Sequence, residues 1–432
     1  MTIEKPREIA LRVLLKADKS GEILDRILGD ALGKPKYDAR DRGLIQELVC
    51  GVVRHRRLLD FLLGKFVKRR PEVRLQTILQ LGAYQLLFVS RVPDYAVLDE
   101  MVNLAKSGGG SHAARFINGV LRRITREREQ LEAECESLRI DRPEVRYSCP
   151  NWLYDRWRQR FSTEELTRLL AWQNEPAQVY GRLNRLKYTP EQFVEHCQRD
   201  GLKIEPLEVD WTTRAWLFRV LNPAGLAQRP VFAAGGFYLQ DPSTLHAVDL
   251  LDPQPGEQVL DLCAAPGGKT GYIADCMNNQ GRVLACDTVS RRLDLVRDNC
   301  RRLGISIGEL KQLPINPSEA VNLGVFDRVL VDVPCSNTGV LRRRVDLKWR
   351  LNEGEIRNLT PLQSTLLRRA AQVTKPGGCL VYSTCSLEPE ENRGVVDSFL
   401  EEYRGFTLEE DRQLTPHGEG HDGAYVARLR RL

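Results

Sequence analysis

The first third of the chain repeats apolar and polar residues with the period of an α-helix. Apolar side chains recur every three or four residues, which places them on one face of a helix. The stretches that show this are 9–17, 44–55 and 75–89. The pattern predicts an all-helical domain over residues 1–135, with Pro93 and the glycine run at 108–110 interrupting its helices.

Residues 136–235 mix helical and strand-like patterns. WLYDRWRQRF and TEELTRLLAW have helical spacing, whereas VYGRLNRL and WLFRVLN look like short strands on either side of the helical segment TPEQFVEHCQRDG. This mixture predicts a small α+β module. The Pro- and Gly-rich stretch 222–236 is expected to lead into the next domain.

Residues 236–432 alternate strand-like and helical segments. The strand-like runs end in DLC, ACD, VDV and YST, each followed by a turn and most by a helical stretch. Such alternation predicts an α/β domain of the Rossmann-like class, with a mostly parallel sheet covered by helices on both faces. Ligands of these sheets bind beyond the carboxyl ends of the strands, and the motifs described below all lie at such ends.

Composition is that of an ordinary soluble, multidomain protein. The chain has 432 residues, of which 42% are hydrophobic and 28% charged. Neither a membrane-spanning run nor a signal peptide is apparent, so a cytoplasmic location is expected. The net charge of +6 is modest, but arginine and lysine cluster, which suggests a nucleic acid partner; solvated helix faces are the alternative reading. The clusters are 54–57, 68–70, 122–128, 291–292, 301–302, 342–344 and 428–431.

Cysteine usage argues against structural cross-links. The 11 cysteines are odd in number and form no CxxC pair, and the six histidines have no metal-ligand spacing. We therefore expect neither a disulfide framework nor a metal site, and we expect most of these cysteines to be small buried residues.

A glycine turn, DLCAAPGGKT, follows the first strand of the last domain. Gly267 and Gly268 permit close backbone approach to a ligand, and Asp287 ends the next strand about twenty residues further on, where an acid can hold ribose hydroxyls. The adjacent glycines do not match GxGxxG, which favours a cofactor without pyrophosphate, such as S-adenosylmethionine. Lys269 either faces solvent or contacts substrate or cofactor.

Two further strands end in cysteines, in DVPCSNTG and STCSLEPEEN. Cys335 and Cys385 are therefore expected to be accessible at strand tips, where basic groups or helix N-termini can favour the thiolate. Methylation of C5 of a pyrimidine needs such a thiolate, because its addition to C6 makes C5 nucleophilic. An acid near N3 supports the developing charge, and a second group assists release. Asp332 and the two cysteines meet these needs.

These motifs resemble those of the Sun-type RNA cytosine-C5 methyltransferases. ARDRGLIQELVCGVVRHRRLLD, LGAYQLLFVSRVPDYAVLDEMVNLAK and ARFINGVLRRI also resemble the NusB-type helical RNA-binding domain. The combination is similar to bacterial 16S rRNA cytosine-C5 methyltransferases over nearly the whole chain. It implies three parts: a NusB-like domain (1–135), an RNA-binding α+β module (136–235) and an S-adenosylmethionine-dependent methyltransferase domain (236–432).

The resemblance also implies roles for single residues. Cys385 would be the nucleophile, Cys335 would assist product release, and Asp332 would contact the cytosine and the cofactor site. The residues implied to hold the cofactor are Cys263, Ala264, Ala265, Pro266, Gly267, Gly268 and Lys269 around its methionine part, Asp287 at its ribose, and Gln240, Asp241 and Ser243 nearby.

One departure from the family pattern leaves alternatives open. Members usually carry an acid near the adenine, whereas the stretch 309–320 has no Asp there, and Asn316 is the candidate substitute. The predicted substrate is a single-stranded or looped cytosine of small-subunit rRNA. A tRNA substrate, or a non-catalytic RNA-binding scaffold, are the alternatives.

Overall fold

The computed structural model describes residues 5–33, 37–212, 214–316, 318–319 and 321–432. Its contacts divide the chain into two compact units. Unit 1 comprises Met1–Pro176 and Leu341–Arg350, and unit 2 comprises Ala177–Val340 and Leu351–Leu432. The domain boundaries predicted at residues 135 and 235 stay predictions.

The consecutive part of unit 1 is helical wherever it is described, as the apolar spacing predicts. Ile45, Leu48 and Val52 lie three and four residues apart on one helix and are fully buried in a shared core. Gly110, with φ of 67°, interrupts the sixth helix, and Pro93 immediately precedes it. The helices are α1 Pro6–Ser20, α2 Leu24–Leu32, α3 Ala39–Arg54, α4 Arg56–Gly64, α5 Val73–Phe88, α6 Asp94–Arg126, α7 Arg128–Asp141, α8 Pro143–Arg146, α9 Asn151–Trp157 and α10 Thr163–Asn174.

The first part of unit 2 contains a four-stranded antiparallel sheet with the order β2-β3-β1-β4. Its core is aromatic, with the rings of Phe193, Phe218 and Phe237 in mutual contact. The elements are β1 Val179–Leu183, α11 Pro190–Arg199, β2 Ile204–Leu207, β3 Leu217–Val220, α12 Pro230–Ala233 and β4 Phe237–Leu239. The two predicted strands and the helix between them are confirmed.

The second part of unit 2 contains a seven-stranded sheet with the order β10-β11-β9-β8-β5-β6-β7. The five strands β5 to β9 pair in parallel, and β10 and β11 add antiparallel at one edge. The strands are β5 Gln258–Asp261, β6 Arg282–Asp287, β7 Gly308–Gln312, β8 Phe326–Asp332, β9 Thr374–Thr384, β10 Phe406–Leu414 and β11 Ala424–Arg431. The helices are α13 His246–Leu251, α14 Gly268–Cys276, α15 Ser290–Leu303, α16 Leu347–Arg350, α17 Glu353–Val373, α18 Arg393–Glu402 and α19 Pro416–Glu419, of which α16 belongs to unit 1.

Helices cover both faces of this sheet, as predicted. Successive residues of a strand point to opposite faces, and here they enter two separate cores. Val329 and Val331 pack with residues of α17 and α18, whereas Leu330 between them packs with residues of α13 and α14. Burial on both faces explains why the centre of β8, Val329 to Val331, is continuously apolar.

The run TPLQSTLLRRAAQVTKPGG predicts a helix that begins at Thr360 and is closed by its Pro-Gly-Gly. Helix α17 differs from this prediction at both ends. It begins at Glu353, seven residues before the predicted start at Thr360, because Asn352 caps it: the Asn352 side chain accepts from Glu355 N, and Glu355 bonds back to Asn352 N. Pro361 consequently lies inside the helix. The Pro-Gly-Gly expected to close the helix belongs instead to the start of β9.

Residues 341–350 are separated from the rest of unit 1 in sequence yet are buried in it. Val345 joins the helical core, and Trp349 Nε1 donates to Val53 O at 2.9 Å. Lys348, which is 4% exposed, donates to Arg54 O at 2.9 Å. Arg342 lies over the Trp172 ring, 3.9 Å from its centre.

In two of the predicted basic clusters, some residues are therefore buried and do not form part of the solvated surface. Arg54 and His55 of the cluster at 54–57 are buried, as is Arg342 of the cluster at 342–344. Arg342 donates to a backbone carbonyl and lies over an aromatic ring, and the His55 ring stacks on aromatic rings, all inside unit 1. The cluster at 68–70 is exposed throughout. Across the described ranges, no helix is both long enough and apolar enough to cross a lipid bilayer.

The buried Lys348 predicts a pH dependence of stability. Burial lowers the pKa of Lys348 to about 7, although the neighbouring Cys149 opposes the shift. An unfolded lysine keeps its proton up to about pH 10.4, so between these values the unfolded state binds one more proton and stability rises with pH. The slope from this group is at most about 1.4 kcal/mol per pH unit.

We expect Lys348→Met to reduce the gain in unfolding free energy between pH 7 and pH 9, measured by denaturant unfolding of the full chain. Lys16→Met, which changes an exposed lysine of α1, is the control and should leave that gain unchanged. An equal pH dependence in the wild type and the Lys348 variant would contradict the burial of a neutral lysine.

Candidate active site

The strands β8 and β9 place two sequence motifs at one edge of the large sheet. They are parallel neighbours, with Asp332 opposite Ser383, so both chains leave the sheet at the same end. Val333 N donates to Ser383 O at 3.0 Å and extends the pairing by one residue. The loops that follow carry Cys335 and Cys385.

The two cysteines are in contact. Their Sγ atoms are 3.3 Å apart, and Cys385 Sγ donates to Asn337 Oδ1 at 3.1 Å. Cys335 is 8% exposed, whereas Cys385 is more accessible. The hydrogen bond with Cys385, and then burial, hold the pKa of Cys335 well above its usual range. Cys335 is therefore a neutral thiol beside a more accessible sulfur.

An ion pair lies beside the cysteines. Lys269 Nζ donates to Asp332 Oδ2 at 2.7 Å, and Ser383 Oγ donates to Asp332 Oδ1 at the same distance. Burial lowers the pKa of Lys269, but the attraction of Asp332 outweighs it and the net shift is upward, with a smaller contribution from Cys385. Lys269 thus remains a cation that lies close enough to Cys385 for the two groups to interact.

The glycine turn joins β5 to α14 with no room for side chains. Gly267 has φ of 101°, and a Cβ there would lie 3.2 Å from Val296 Cα. A Cβ at Gly268 would lie 2.7 Å from a ring carbon of Tyr238. The chain enters this turn through Cys263, Ala264, Ala265 and Pro266, with Ala264 N donating to Cys286 O at 2.8 Å. Only glycine fits these two positions, and the turn exposes backbone N–H groups at the start of α14.

Two more carboxylates end β5 and β6, the next two strands of the sheet beyond β8. Asp261 ends β5, and its Oδ2 accepts from Thr270 Oγ1 at 2.7 Å, whereas its buried Oδ1 has no hydrogen-bond partner. Burial raises the pKa of Asp261 to about 7, against the effect of the Thr270 bond. Asp287 ends β6 and is 4% exposed, and its Oδ1 accepts from Val289 N at 3.1 Å.

Sequence reasoning assigned no role to several residues that hold the two cysteine loops together. The carboxylate of Glu391 accepts from Ser336 N at 2.8 Å and from Ser386 Oγ at 2.5 Å. Gly339 N donates to Cys385 O at 3.0 Å. Asn337 adopts a φ of 58°, which asparagine tolerates better than most residues. The Asn-Thr-Gly run after Cys335 signals such a turn, whereas Glu391 lies within the motif STCSLEPEEN without any sequence signal for its role.

The segment YLQDPS forms bonds away from the cysteines. Arg182 Nε donates to Gln240 Oε1 at 3.2 Å, and Asp241 Oδ1 accepts from Ser243 N and from Asp422 N. The expected place of Gln240, Asp241 and Ser243 beside the cofactor stays a prediction.

The stretch 309–320, which lacks the expected acid, covers β7 and the loop after it. Asn316 is exposed, and its Oδ1 accepts from Ser318 N at 3.0 Å. Its side chain is therefore engaged in its own turn. Pro317 and Ala320 of this stretch lie outside the described residues.

Comparison with known proteins matches each part of the chain. The family model for 16S rRNA methyltransferase RsmB/F matches residues 248–430, the NusB family model matches 4–126, and the RsmF/B-like ferredoxin-like domain matches 149–211. The probable ribosomal RNA small subunit methyltransferase B of Synechocystis is 35% identical over 96% of this chain and 93% of its own length. The chain belongs to this family. It is a methyltransferase of the kind that uses S-adenosylmethionine.

Other relatives support the same family assignment. The ribosomal RNA small subunit methyltransferase B of Serratia proteamaculans is 35% identical over 98% of both chains. A solved methyltransferase homologue from Pyrococcus horikoshii has a TM-score of 0.58 at 30% identity, covering 67% of this chain and 97% of its own. The predicted fold class is confirmed: a NusB-type helical domain, a small module and a Rossmann-like methyltransferase domain.

The residues at the sheet edge fit S-adenosylmethionine. The turn at Gly267 and Gly268 is free of side chains, and the unpartnered Oδ1 of Asp261 can accept a hydrogen bond from an ammonium group. The buried carboxylate of Asp287 suits hydroxyl donors such as those of a ribose. When bound, the cofactor supplies a methyl group on a sulfonium centre.

The close approach of the two cysteine loops predicts a steric effect at Gly339. A Cβ there would lie 2.9 Å from Cys385 O and would also clash with Gly423 O. We expect Gly339→Ala to reduce the unfolding free energy by about 1–3 kcal/mol, as overpacking does. Denaturant unfolding of the full chain measures the change.

Gly405→Ala is the matched control, since a Cβ at Gly405 meets no atom within 4 Å. It should change stability little. If both variants unfold at the same denaturant concentration, the loops are not packed as tightly as the structure indicates.

Proposed function

We propose that this protein methylates C5 of a specific cytosine in 16S rRNA through a covalent adduct between Cys385 and C6. The observation that carries the proposal is the 3.3 Å contact between Cys335 Sγ and Cys385 Sγ, next to the ion pair of Asp332 and Lys269. Cytosine C5 methylation needs a thiolate, an acid and a group that assists release, and these side chains supply all three.

Cys385 is the better nucleophile of the two cysteines on physical grounds. It is the more accessible sulfur, and the Lys269 cation lies close enough for the two charges to interact. Cys335 is buried and its raised pKa keeps it protonated at neutral pH. Addition of the Cys385 thiolate to C6 breaks the aromatic ring and makes C5 nucleophilic.

The ion pair of Lys269 with Asp332 is suited to the negative charge that develops at N3 during addition. Lys269 Nζ donates to Asp332 Oδ2, so a proton of the ammonium group can pass through the pair to N3 as the adduct forms. Ser383 Oγ fixes the other oxygen and therefore the orientation of the carboxyl plane. A cofactor held at the glycine turn would supply the methyl group that C5 accepts.

Release needs the C5 proton to pass to a base and the bond between Cys385 Sγ and C6 to break. The neutral thiol of Cys335 is positioned to donate a hydrogen bond to Cys385 Sγ as negative charge returns to it. This gives Cys335 a role at departure of the product rather than at attack.

The full-length relatives named as ribosomal RNA small subunit methyltransferases favour rRNA over tRNA as substrate. Exposed basic clusters such as 68–70 would add salt-dependent affinity for an RNA backbone. The target cytosine must leave its stack to reach Cys385, which favours a looped or single-stranded site, acted on in the cytoplasm. Mapping 5-methylcytosine in 16S rRNA and tRNA from cells with and without this protein tests the choice; a site lost only from tRNA contradicts it.

We expect Cys385→Ala to abolish methyl transfer to RNA, because the neighbouring thiol of Cys335 is buried and its raised pKa keeps it protonated. Cofactor binding should be retained, since the glycine turn is unchanged. Transfer of a labelled methyl group measures the first effect, and calorimetric titration with S-adenosylmethionine measures the second. Turnover in this variant would refute Cys385 as nucleophile.

We expect Cys335→Ala to accumulate the covalent protein–RNA adduct, because attack by Cys385 is intact but departure is slowed. The adduct is visible as a slowly migrating band on a denaturing gel, and the Cys335→Ala, Cys385→Ala double variant is the control that should show none. Normal turnover without an adduct would remove the release role.

A further inference from the structure

Glu391 is a fully buried carboxylate that the mechanism above does not use. It is 0% exposed, and all its hydrogen-bond donors among the described residues are neutral groups. Burying a carboxylate without a cation is costly even when it is hydrogen-bonded. A neutral side chain could fill this space at a lower cost in free energy, so the presence of a charged group here needs an explanation.

The donors to Glu391 come from both cysteine loops. Ser336, the residue after Cys335, donates to it through its backbone N at 2.8 Å and through its hydroxyl. Ser386, the residue after Cys385, donates to it through its hydroxyl at 2.5 Å. A single carboxylate is therefore bonded to the neighbour of each sulfur atom.

Glu391 is itself held from two sides. Gln363 Nε2 on α17 donates to Glu391 Oε1 at 2.9 Å and to Pro334 O at 3.0 Å, which fixes the residue before Cys335 as well. The Tyr382 hydroxyl on β9 donates to Glu391 O at 2.5 Å. These bonds anchor the carboxylate to the sheet and to a long helix, which are rigid elements.

We propose that Glu391 is a positioning residue that sets the separation between Cys335 and Cys385 by bonding Ser336 and Ser386 together. The consequence for catalysis rests on the proposed function, because that spacing matters only if Cys335 assists departure of Cys385. Charge-assisted bonds from one carboxylate are stronger than neutral ones, which accounts for the use of a glutamate here.

The spacing of the two sulfur atoms can be measured without RNA or cofactor. In a glutathione buffer, Cys335 and Cys385 form a disulfide by exchange: one molecule of glutathione disulfide is reduced to two thiols as the two protein thiols lose their protons and join. The oxidised fraction at equilibrium, from peptide mass spectrometry on the full chain, gives the effective concentration of one thiol at the other.

Two variants weaken the link in different ways. Glu391→Gln removes the charge at nearly constant shape, and the Ser336→Ala, Ser386→Ala double variant removes both hydroxyl donors while leaving Glu391 its bonds from Ser336 N and Gln363. We expect each to lower the effective concentration roughly tenfold, equivalent to about 1.4 kcal/mol.

Asp249→Asn is the matched control. It makes the same chemical change at another hydrogen-bonded carboxylate of unit 2, whose Oδ1 accepts from the Tyr272 hydroxyl. It should leave the effective concentration unchanged, whatever its effect on stability. Methyl transfer provides the second readout: the Glu391 variant should lose about tenfold in kcat with the KM for S-adenosylmethionine unchanged.

The outcomes separate the two proposals. An unchanged effective concentration in both folded variants, or an equal fall in the Asp249 variant, overturns the positioning role. A lower effective concentration in the Glu391 and serine variants alone supports the positioning role. This holds even if the Cys335 and Cys385 substitutions show that the proposed chemistry is wrong.

Discussion

The parallel pairing of β8 with β9 is the constraint on which the site depends. Because the two strands run in the same direction with Asp332 opposite Ser383, the loops after them must leave the sheet side by side. One register therefore fixes both the bond from Ser383 to Asp332 and the approach of Cys335 to Cys385. A shift of one residue would turn these side chains to opposite faces.

Within this frame, small differences in environment give the two sulfur atoms different chemistry. Cys335 is enclosed and bonded to its neighbour, which keeps its proton in place. Cys385 is more open and shares its surroundings with a cation. In the proposed mechanism, two residues of the same type are thus suited to different steps of one reaction.

The sequence predicts most of the fold because local signals are strong there. Periodic apolar positions identify the helices of unit 1, and buried runs that end in Asp or Cys identify β5, β6, β8 and β9. The predicted start of α17 was wrong, because Pro361 resembled the proline that often occupies the first turn of a helix. The Asn352 cap instead determines where the helix begins. The antiparallel strands β10 and β11 were not predicted, since their mixed polar pattern carries little strand signal.

For the site, the motifs point to the residues that are proposed to react but not to what holds them in place. The roles proposed for Cys335, Cys385, Asp332 and Lys269 follow from chemistry that sequence can suggest. The bonds of Glu391 depend on how loops distant in sequence fold together, and only coordinates reveal them. The buried arginines of the basic clusters could not be predicted either, because a cluster of charged residues in a sequence does not indicate which of them face solvent.

Residues 341–350 belong to unit 1, although the residues before and after them in sequence belong to unit 2. This affects any experiment that divides the enzyme into two fragments. A fragment that begins at Ala177 would retain this segment but lose the helices that cover Val345, Lys348 and Trp349. The complementary fragment, which ends at Pro176, would lack this segment and so would have an unfilled space where Val345 packs. Cutting the chain once therefore damages both products, and an inactive catalytic fragment would say nothing about whether RNA recognition is required. In evolution, too, the two units can be exchanged between relatives only if this ten-residue insert is exchanged with the helices that receive it.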